Sequence, residues 1–532
     1  MGKGDITRCR VIHHVLRQKA REFGNRPFLY FEDRTFGYEE LDAASDRAAA
    51  GLLALGLRMG DKVALMMGNR PEFLFMWFGI SKVGAVEVPI NVAHRGDILT
   101  YMLDKADCRV VIAEAAFLDQ LAPAIEGLSK VERLVILDDP GEKKASLTTL
   151  WVDFRKLMDN DGSYQAVDVT WADPFAILFT SGTTGPSKGA LMPHNYALFM
   201  GELVMGFAEY TESDCLYNAL PLFHGNAQLL SAMPALMSGA RMVLARRFSA
   251  SRFWSEVEKY QCTAFNYIGS IIPILLKAAP KAEDSRNPLR IMVGGGCPED
   301  LFGVVEARFG LSLVEGYGMS ELGLPLGNGP GQHKRGTIGK PTPGYQVKVV
   351  ADNGLEVSPG ILGELLVRPE KPYTMMLEYY RMPEETVEAW RDLWFHTGDY
   401  VVEDPEGYFR FVDRKKDALR RGGENISSYE VEKIINSHPA VRDSAAIAVK
   451  SELAEDEVMV CLELSPDAGL TPEALLDYCQ ECMAYFMVPR YVRIMETLPR
   501  TPTLRVQKAV LRREGITADT WDRVKTGYEI RR

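Results

Sequence analysis

Short apolar runs alternate with longer helical stretches through the first three hundred or so residues, and that alternation limits the folds open to the chain. Helical periodicity at 41–57, 71–83 and 96–105 is interleaved with extended runs at 62–67, 85–90, 109–113 and 134–137. A second series follows, with extended runs at 175–180, 216–220, 241–245, 264–268 and 290–293 separated by apolar helical stretches. Strands that are apolar along their length and alternate with helices are the pattern of parallel sheets covered on both faces. Two such series predict two α/β subdomains before residue 330.

From Gly336 the texture changes to short β segments at 346–350, 363–367, 400–403 and 408–412, broken by Gly and Pro turns, which predicts a small β-rich subdomain. A charged knot, Asp413-Arg414-Lys415-Lys416-Asp417, precedes a compact α+β unit. There Ser427 and Glu430 have capping-box spacing, and Val431, Ile434 and Ile435 form one apolar helical face. Strands are expected at 445–449 and 458–464 and a helix over 472–485. At 532 residues the chain exceeds the roughly 250–300 that one core supports. The expected fold is therefore α/β. A large N-terminal domain over 1–413 holds two α/β subdomains and the β-rich one, and a small α+β C-terminal domain covers 414–532.

The charge balance, 61 basic against 72 acidic residues for a net −11, argues against a general nucleic-acid binder. The most apolar run, 73–90, is interrupted by Lys82 and Glu87, so no transmembrane segment is expected. Neither a signal peptide nor a myristoylation pattern is read at the start, where Ile6 occupies the position that pattern needs for Ser or Thr. Most of the eight cysteines lie scattered in apolar runs, as reduced thiols of a cytoplasmic protein would. Cys479 and Cys482 form a CxxC, but neither a second CxxC nor a paired-His spacing accompanies it, which favours a structural reading over zinc.

The chemistry concentrates in Thr180-Ser181-Gly182-Thr183-Thr184-Gly185-Pro186-Ser187-Lys188-Gly189, between a buried strand and a helix expected at 196–206. Its glycines let backbone N–H groups turn toward an anion, its hydroxyls add donors, and Lys188 adds a point charge. This is a phosphate cradle, but not a Walker A loop, because Ser187 stands where Gly would precede the Lys. The segment resembles the phosphate loop of adenylate-forming enzymes: acyl-CoA synthetases, adenylation domains of peptide synthetases, and luciferases. The resemblance extends along nearly the whole chain.

Glu315-Gly316-Tyr317-Gly318-Met319-Ser320-Glu321 resembles the family's Tyr-Gly-x-Thr-Glu motif, with Ser320 keeping the hydroxyl of the usual Thr. The resemblance implies adenine against Tyr317 and Mg²⁺–ATP near Glu321, with Thr184 the second residue expected at the metal. Gly294-Gly295-Gly296, at the end of a strand, resembles the lining of the adenine and acyl pockets. Asp399, in Trp394-Phe395-His396-Thr397-Gly398-Asp399, resembles the ribose-binding Asp. Phe411 and Arg414 join the nucleotide-site residues that the resemblance implies, and Lys416 takes the place of the hinge on which the C-terminal domain of related enzymes swings. On the residues alone the run around Lys416 reads equally well as a solvated charge cluster. Arg421-Gly422-Gly423-Glu424-Asn425 resembles the loop at the thiol acceptor's tunnel, in the form seen in carnitine-type and related bacterial acyl-CoA ligases. Pro221-Leu222-Phe223-His224-Gly225-Asn226 resembles the acyl-site motif, in which His224 would close over the carboxylate or move aside for the thiol.

One segment departs from the family. Its C-terminal motif reads Thr-x-x-Gly-Lys, whereas this chain has Thr501-Pro502-Thr503-Leu504-Arg505, with Lys508 three residues beyond Arg505. Arg keeps the charge but is a planar fork rather than a compact ammonium. The resemblance implies a mobile C-terminal domain and an acyl-CoA ligase using ATP, Mg²⁺ and CoA, with Lys188, Glu321, His224 and Arg505 as catalytic residues. The expected partners are a small-molecule carboxylic acid, ATP and CoA, with a homodimer admissible. Two alternatives stay open: delivery of the acyl group to a carrier-protein thiol in trans, and a weakly catalytic acyl- or nucleotide-binding homologue, for which Arg505 is the motive.

Overall fold

A computed structural model of the chain describes residues 10–147, 149–180, 187–269, 271–297, 299–351, 353–414, 418–421, 424–450, 456–466, 468–500, 506 and 508–531. The chain divides into two compact units. The first comprises Met1–Val92, Leu103–Leu178 and Gly189–Asp413, and the second Ala93–Met102, Phe179–Lys188 and Arg414–Arg532.

The first unit is built on two large sheets and one small one. In the eight-stranded sheet, Lys62–Met66 runs parallel to both Val86–Pro89 and Cys108–Glu114, and Arg133–Leu137 and Trp151–Asp153 extend the parallel run. Pro174–Thr180 pairs in parallel with Val86–Pro89 on the other side, and Glu378–Tyr379 closes that edge antiparallel to Lys188–Pro193. The expected apolar runs of the first series are therefore strands of one parallel sheet. Pro71, whose fixed φ suits a first helical turn, opens the helix Pro71–Lys82. That helix is apolar nearly all round, and eleven of its residues are buried.

The second sheet has nine strands. Ser312–Met319, Ile291–Gly295, Ala264–Ile268, Cys215–Asn218, Arg241–Leu244 and Pro27–Phe31 lie side by side in parallel. The strand Pro27–Phe31 and its antiparallel neighbour Arg34–Gly37 come from the start of the chain, so the first two strands in sequence belong to the second sheet. The β-rich subdomain is a four-stranded sheet of Tyr345–Val350, Leu362–Pro369, Phe395–Glu403 and Phe409–Arg414. One continuous apolar core serves both large sheets.

The second unit contains the hairpin Ala418–Arg421 with Glu424–Ser427 and a four-stranded sheet of Val441–Lys450, Asp456–Leu464, Tyr491–Met495 and Trp521–Asp522. Ala445, Ile447, Met459, Cys461 and Leu511 centre its core. The helix expected over 472–485 stops at Cys482, because Met483 turns to an extended backbone with φ −140° and ψ 164°. Cys479 and Cys482 both keep free thiols, and burial pushes the Cys479 thiol up. Among the described residues no helix is long and apolar enough to cross a membrane.

In the nine-stranded sheet the ends of three parallel strands fall in register, with Tyr267 opposite Gly294 and Gly294 opposite Glu315. Carboxyl ends of parallel strands are where open α/β sheets bind ligands. The strands approach closely there: a Cβ on Gly294 would lie 2.3 Å from Tyr267 O. Gly294→Ala is accordingly expected to cost about 1–3 kcal/mol, read as a lower thermal midpoint by calorimetry. An unchanged midpoint would show that this strand pair has room to separate.

Candidate active site

The first unit holds most of the expected nucleotide-site residues. Gly294 and Gly295 end the strand Ile291–Gly295, and Gly296 follows with φ +83°. Glu315, Gly316, Tyr317, Gly318 and Met319 lie on the neighbouring strand Ser312–Met319. Glu315 is buried and accepts from Tyr267 Oη at 2.9 Å and from Cys297 N at 2.7 Å. Burial raises its pKa from the ordinary carboxylate value, and those two hydrogen bonds oppose the rise. Tyr267 is pushed well above an ordinary phenol, chiefly by burial and next by the Glu315 charge, so it stays a donor.

Tyr317 donates to Asp399 Oδ2 at 2.6 Å. Asp399 is 2% exposed and lies on Phe395–Glu403, so this bond ties the nine-stranded sheet to the β-rich subdomain. Its own backbone N–H donates to Thr397 Oγ1 at 3.1 Å. A carboxylate has about four lone-pair sites, so accepting the phenol leaves capacity for sugar hydroxyls.

Ser320 and Glu321 form the turn into Gly323–Gly327. Tyr196 Oη donates to Ser320 O at 2.8 Å, and the N–H of Met376 donates to Glu321 O at 2.8 Å. Tyr379 Oη donates to the buried Glu321 Oε1 at 2.9 Å. Burial first, and the Glu321 carboxylate second, push the Tyr379 phenol far up, which keeps it protonated. A buried carboxylate is a hard oxygen donor of the kind Mg²⁺ takes, so Glu321 fits that cation. Thr184 lies outside the described residues.

His224 caps the short helix Gly225–Ala227, its ring edge-on to Phe223 at 4.9 Å between centroids. The adjoining Asn226 Oδ1 accepts from Asn266 Nδ2 at 2.6 Å, which connects this segment to the strand Ala264–Ile268. Phe411 is 41% exposed on the strand Phe409–Arg414, which ends at Arg414.

The second unit contains both ends of the phosphate loop. Thr180 ends the strand Pro174–Thr180 and donates from Oγ1 to Lys188 O at 3.5 Å, and Lys188 opens the strand Lys188–Pro193. Ser181, Gly182 and Thr183 lie outside the described residues, as do Lys416, Gly422, Gly423 and Arg505. Glu424 opens its strand opposite Arg421. The capping box forms only in part as expected. Ser427 Oγ accepts from the Glu430 N–H at 3.3 Å, but the Glu430 carboxylate accepts from Ser187 N at 2.9 Å and Ser187 Oγ at 2.5 Å. Burial raises the Glu430 pKa, and the Ser187 hydrogen bonds oppose that rise. Lys508, three residues beyond Arg505, is engaged by Glu432 at 2.5 Å and Ser428 Oγ at 2.9 Å. Arg421 donates to Phe486 O and Val488 O and pairs with Glu457 at 2.9 Å. Both cations thus have structural partners inside their own unit.

Two family models match the chain: the AMP-binding enzyme model over residues 16–380, and the AMP-binding enzyme C-terminal domain model over residues 430–504. This protein belongs to the AMP-binding enzyme family. Among curated relatives, a crotonobetaine/carnitine–CoA ligase of Proteus mirabilis is 33% identical over 513 residues, covering 92% of this chain and 96% of that one. An anthranilate CoA ligase solved in complex with anthranoyl-AMP is 26% identical with a TM-score of 0.72, covering 96% of this chain and 98% of that one. The o-succinylbenzoate CoA synthetase of Bacillus subtilis, 24% identical, shares the fold with a TM-score of 0.81 over 94% of this chain and 98% of that one. The expected α/β architecture, with a large N-terminal and a small C-terminal domain, is that of these AMP-binding enzymes.

The sequence does not show that the phenols of Tyr196, Tyr267 and Tyr379 hold Ser320, Glu315 and Glu321. Each lies 48 or more residues from its partner, and no local pattern marks it. Their signal is burial of a polar tip, which is visible only once the fold is known.

Proposed function

We propose that this protein is an ATP-dependent acid–thiol ligase that activates a carboxylic acid as its acyl-adenylate, releasing pyrophosphate, and passes the acyl group to CoA, releasing AMP. The observation that carries this reading is the likeness over 92% of the chain to a named CoA ligase of the same family. The likeness to a CoA ligase crystallised with an acyl-adenylate accords with it.

A carboxylate is a poor electrophile because its leaving group would be oxide, and conversion to a mixed anhydride with AMP supplies a good one. The protein's work is then positioning and charge stabilisation, with no covalent intermediate on a side chain. Asp399 would hold the ribose hydroxyls while Tyr317, fixed by its bond to Asp399, packs against adenine. Lys188 and the phosphate-loop donors would offset charge on the polyphosphate. Mg²⁺, held by Glu321 and Thr184, would add charge compensation when bound. His224 would stand at the acyl carboxylate, and Arg505 would take the place of the family's Lys in orienting that carboxylate. On this reading residues 1–413 carry the nucleotide and acyl sites, and 414–532 form the domain that moves between the two half-reactions. A cytoplasmic setting accords with the buried thiols of Cys108, Cys215, Cys262, Cys461 and Cys479.

Purified protein with ATP, Mg²⁺ and a panel of quaternary-ammonium, aryl and fatty acids is expected to give hydroxamate on hydroxylamine trapping for at least one acid. With CoA added, AMP release should depend on that same acid. Hydroxamate without CoA-dependent turnover would move the acceptor to a carrier-protein thiol. Neither product across the panel would end the reading.

A further inference from the structure

A buried acid with no cation paired to it among the described residues lies outside the nucleotide and acyl sites. Glu87 sits on the strand Val86–Pro89, in the interior of the eight-stranded sheet, and is 0% exposed. It accepts from Gln228 Nε2 at 3.0 Å, and the same nitrogen donates to Leu222 O at 2.8 Å. Gln228 is also 0% exposed and opens the π-helical turn Gln228–Ala232. Such turns insert a residue and re-aim the side chains around it.

Two buried atoms in this contact, Glu87 Oε2 and Gln228 Oε1, have no hydrogen-bond partner among the described residues. A carboxylate only accepts, so it cannot satisfy an amide oxygen, whereas a carboxylic acid carries one O–H and can. Burial pushes the Glu87 pKa well above the ordinary carboxylate range, opposed by the Gln228 hydrogen bond. The surroundings offer little charge to reverse this. Pro174–Thr180 and the turn Gln228–Ala232 carry no titratable side chain. Lys62–Met66 carries Lys62, registered to Val86. The helix Pro71–Lys82 carries Glu72, paired with Arg70, and Lys82, paired with Asp42 and Asp46.

The stretch that Gln228 grips is gripped from a second side. Asn69 Oδ1 accepts from Leu222 N at 2.8 Å, and Asn69 Nδ2 donates to Leu220 O at 3.0 Å and Ala245 O at 2.8 Å. Both backbone polar groups of Leu222 are therefore tied to buried amides, two residues before His224.

We propose that Glu87 and Gln228 form a reciprocal acid–amide pair, Gln228 Nε2–H to Glu87 Oε1 and Glu87 Oε2–H to Gln228 Oε1, and that Glu87 is thereby a positioning residue for the His224 segment. The part His224 plays rests on the ligase reading above, while the pair and its hold on Leu222 do not. Orphan oxygens on both partners are what a proton between them resolves, and the low dielectric of the site makes leaving them unpaired costly.

Glu87→Gln keeps one donor and one acceptor, and Glu87→Leu keeps neither. At neutral pH the infrared spectrum of the wild type should contain the carbonyl stretch of a protonated carboxylic acid that Glu87→Gln lacks. Backbone amides of 219–228 should exchange hydrogen at least about tenfold faster in Glu87→Leu, and at the wild-type rate in Glu87→Gln. With an acid that supports hydroxamate formation, Glu87→Leu should lower kcat by about 10- to 100-fold and leave the KM for ATP within about threefold, whereas Glu87→Gln stays within about threefold in both. Should Glu87→Leu fail to fold, Gln228→Met removes the other half of the pair and takes its place. The pair is overturned if no acid band is lost in Glu87→Gln. The positioning role is overturned if the apolar variant exchanges and turns over like the wild type, or if Glu87→Gln is as impaired as Glu87→Leu. If the wild type forms no adenylate, the ligase reading falls, while the band and the exchange rates still decide the pair and its hold on Leu222.

Discussion

Glu321→Gln is expected to slow acyl-adenylate formation by about 10²- to 10³-fold and to raise the Mg²⁺ concentration needed for half-maximal rate. The substitution is nearly isosteric. Tyr379 Oη, 2.9 Å from Oε1, still finds an amide oxygen to donate to, and the backbone bond from Met376 N to residue 321 is untouched. The fold is therefore kept and the charge alone is lost. A neutral amide is a weaker ligand for a hard cation than a carboxylate, and it no longer helps balance the cation's charge. Tyr379→Phe separates orientation from charge, because it leaves the carboxylate but removes its buried donor, and a loss of about 10-fold is expected, the low end for one hydrogen bond to a charged group, because the phenol acts on the rate only through the carboxylate. The measurement is single-turnover hydroxamate formation across a Mg²⁺ series. A rate for Glu321→Gln within about threefold of wild type at limiting Mg²⁺ would remove Glu321 from the metal site.

The elements that position these residues differ in how far the chain announces them. Cys108–Glu114 and Arg133–Leu137 are largely apolar because parallel strands are covered on both faces, so burial itself writes the signal, with Glu87 in Val86–Pro89 the exception. Tyr317, Asp399 and Glu321 stand in local runs whose spacing resembles a known motif. The membership of Pro27–Phe31 in the second sheet has no such signal, because its partner Arg241–Leu244 lies two hundred residues on and strand pairing is set by tertiary packing. Glu430 shows the same limit within one residue. Its N–H does what capping-box spacing predicts, but its carboxylate bonds Ser187, 243 positions away, a choice made by burial and not by helix geometry. Side-chain engagement of charged residues is hidden from the sequence for the same reason. Arg421 and Lys508 look available in a sequence, yet carbonyls and carboxylates of their own unit engage them.

The bond between Tyr317 and Asp399 makes the second large effect separable from the first. Asp399→Ala is expected to raise the KM for ATP by about 10- to 150-fold, the equivalent of one strong hydrogen bond between a charged group and a hydroxyl. The effect on kcat should be smaller, because ribose contacts are made in ground state and transition state alike. The same substitution strips Tyr317 of its acceptor, so part of the loss belongs to the aromatic ring and not to the sugar. Tyr317→Phe isolates that part. It keeps the ring, removes the phenol 2.6 Å from Oδ2, and leaves a 2%-exposed carboxylate short of one donor. A KM increase of about 3- to 10-fold is expected from it, well below that of Asp399→Ala. Replacing ATP by 2′-deoxy-ATP and 3′-deoxy-ATP completes the cycle. If Asp399 reads the ribose, each missing hydroxyl should weaken the wild type and leave Asp399→Ala nearly indifferent, whereas an Asp399 that serves only to hold Tyr317 would let both deoxynucleotides discriminate equally in the two proteins.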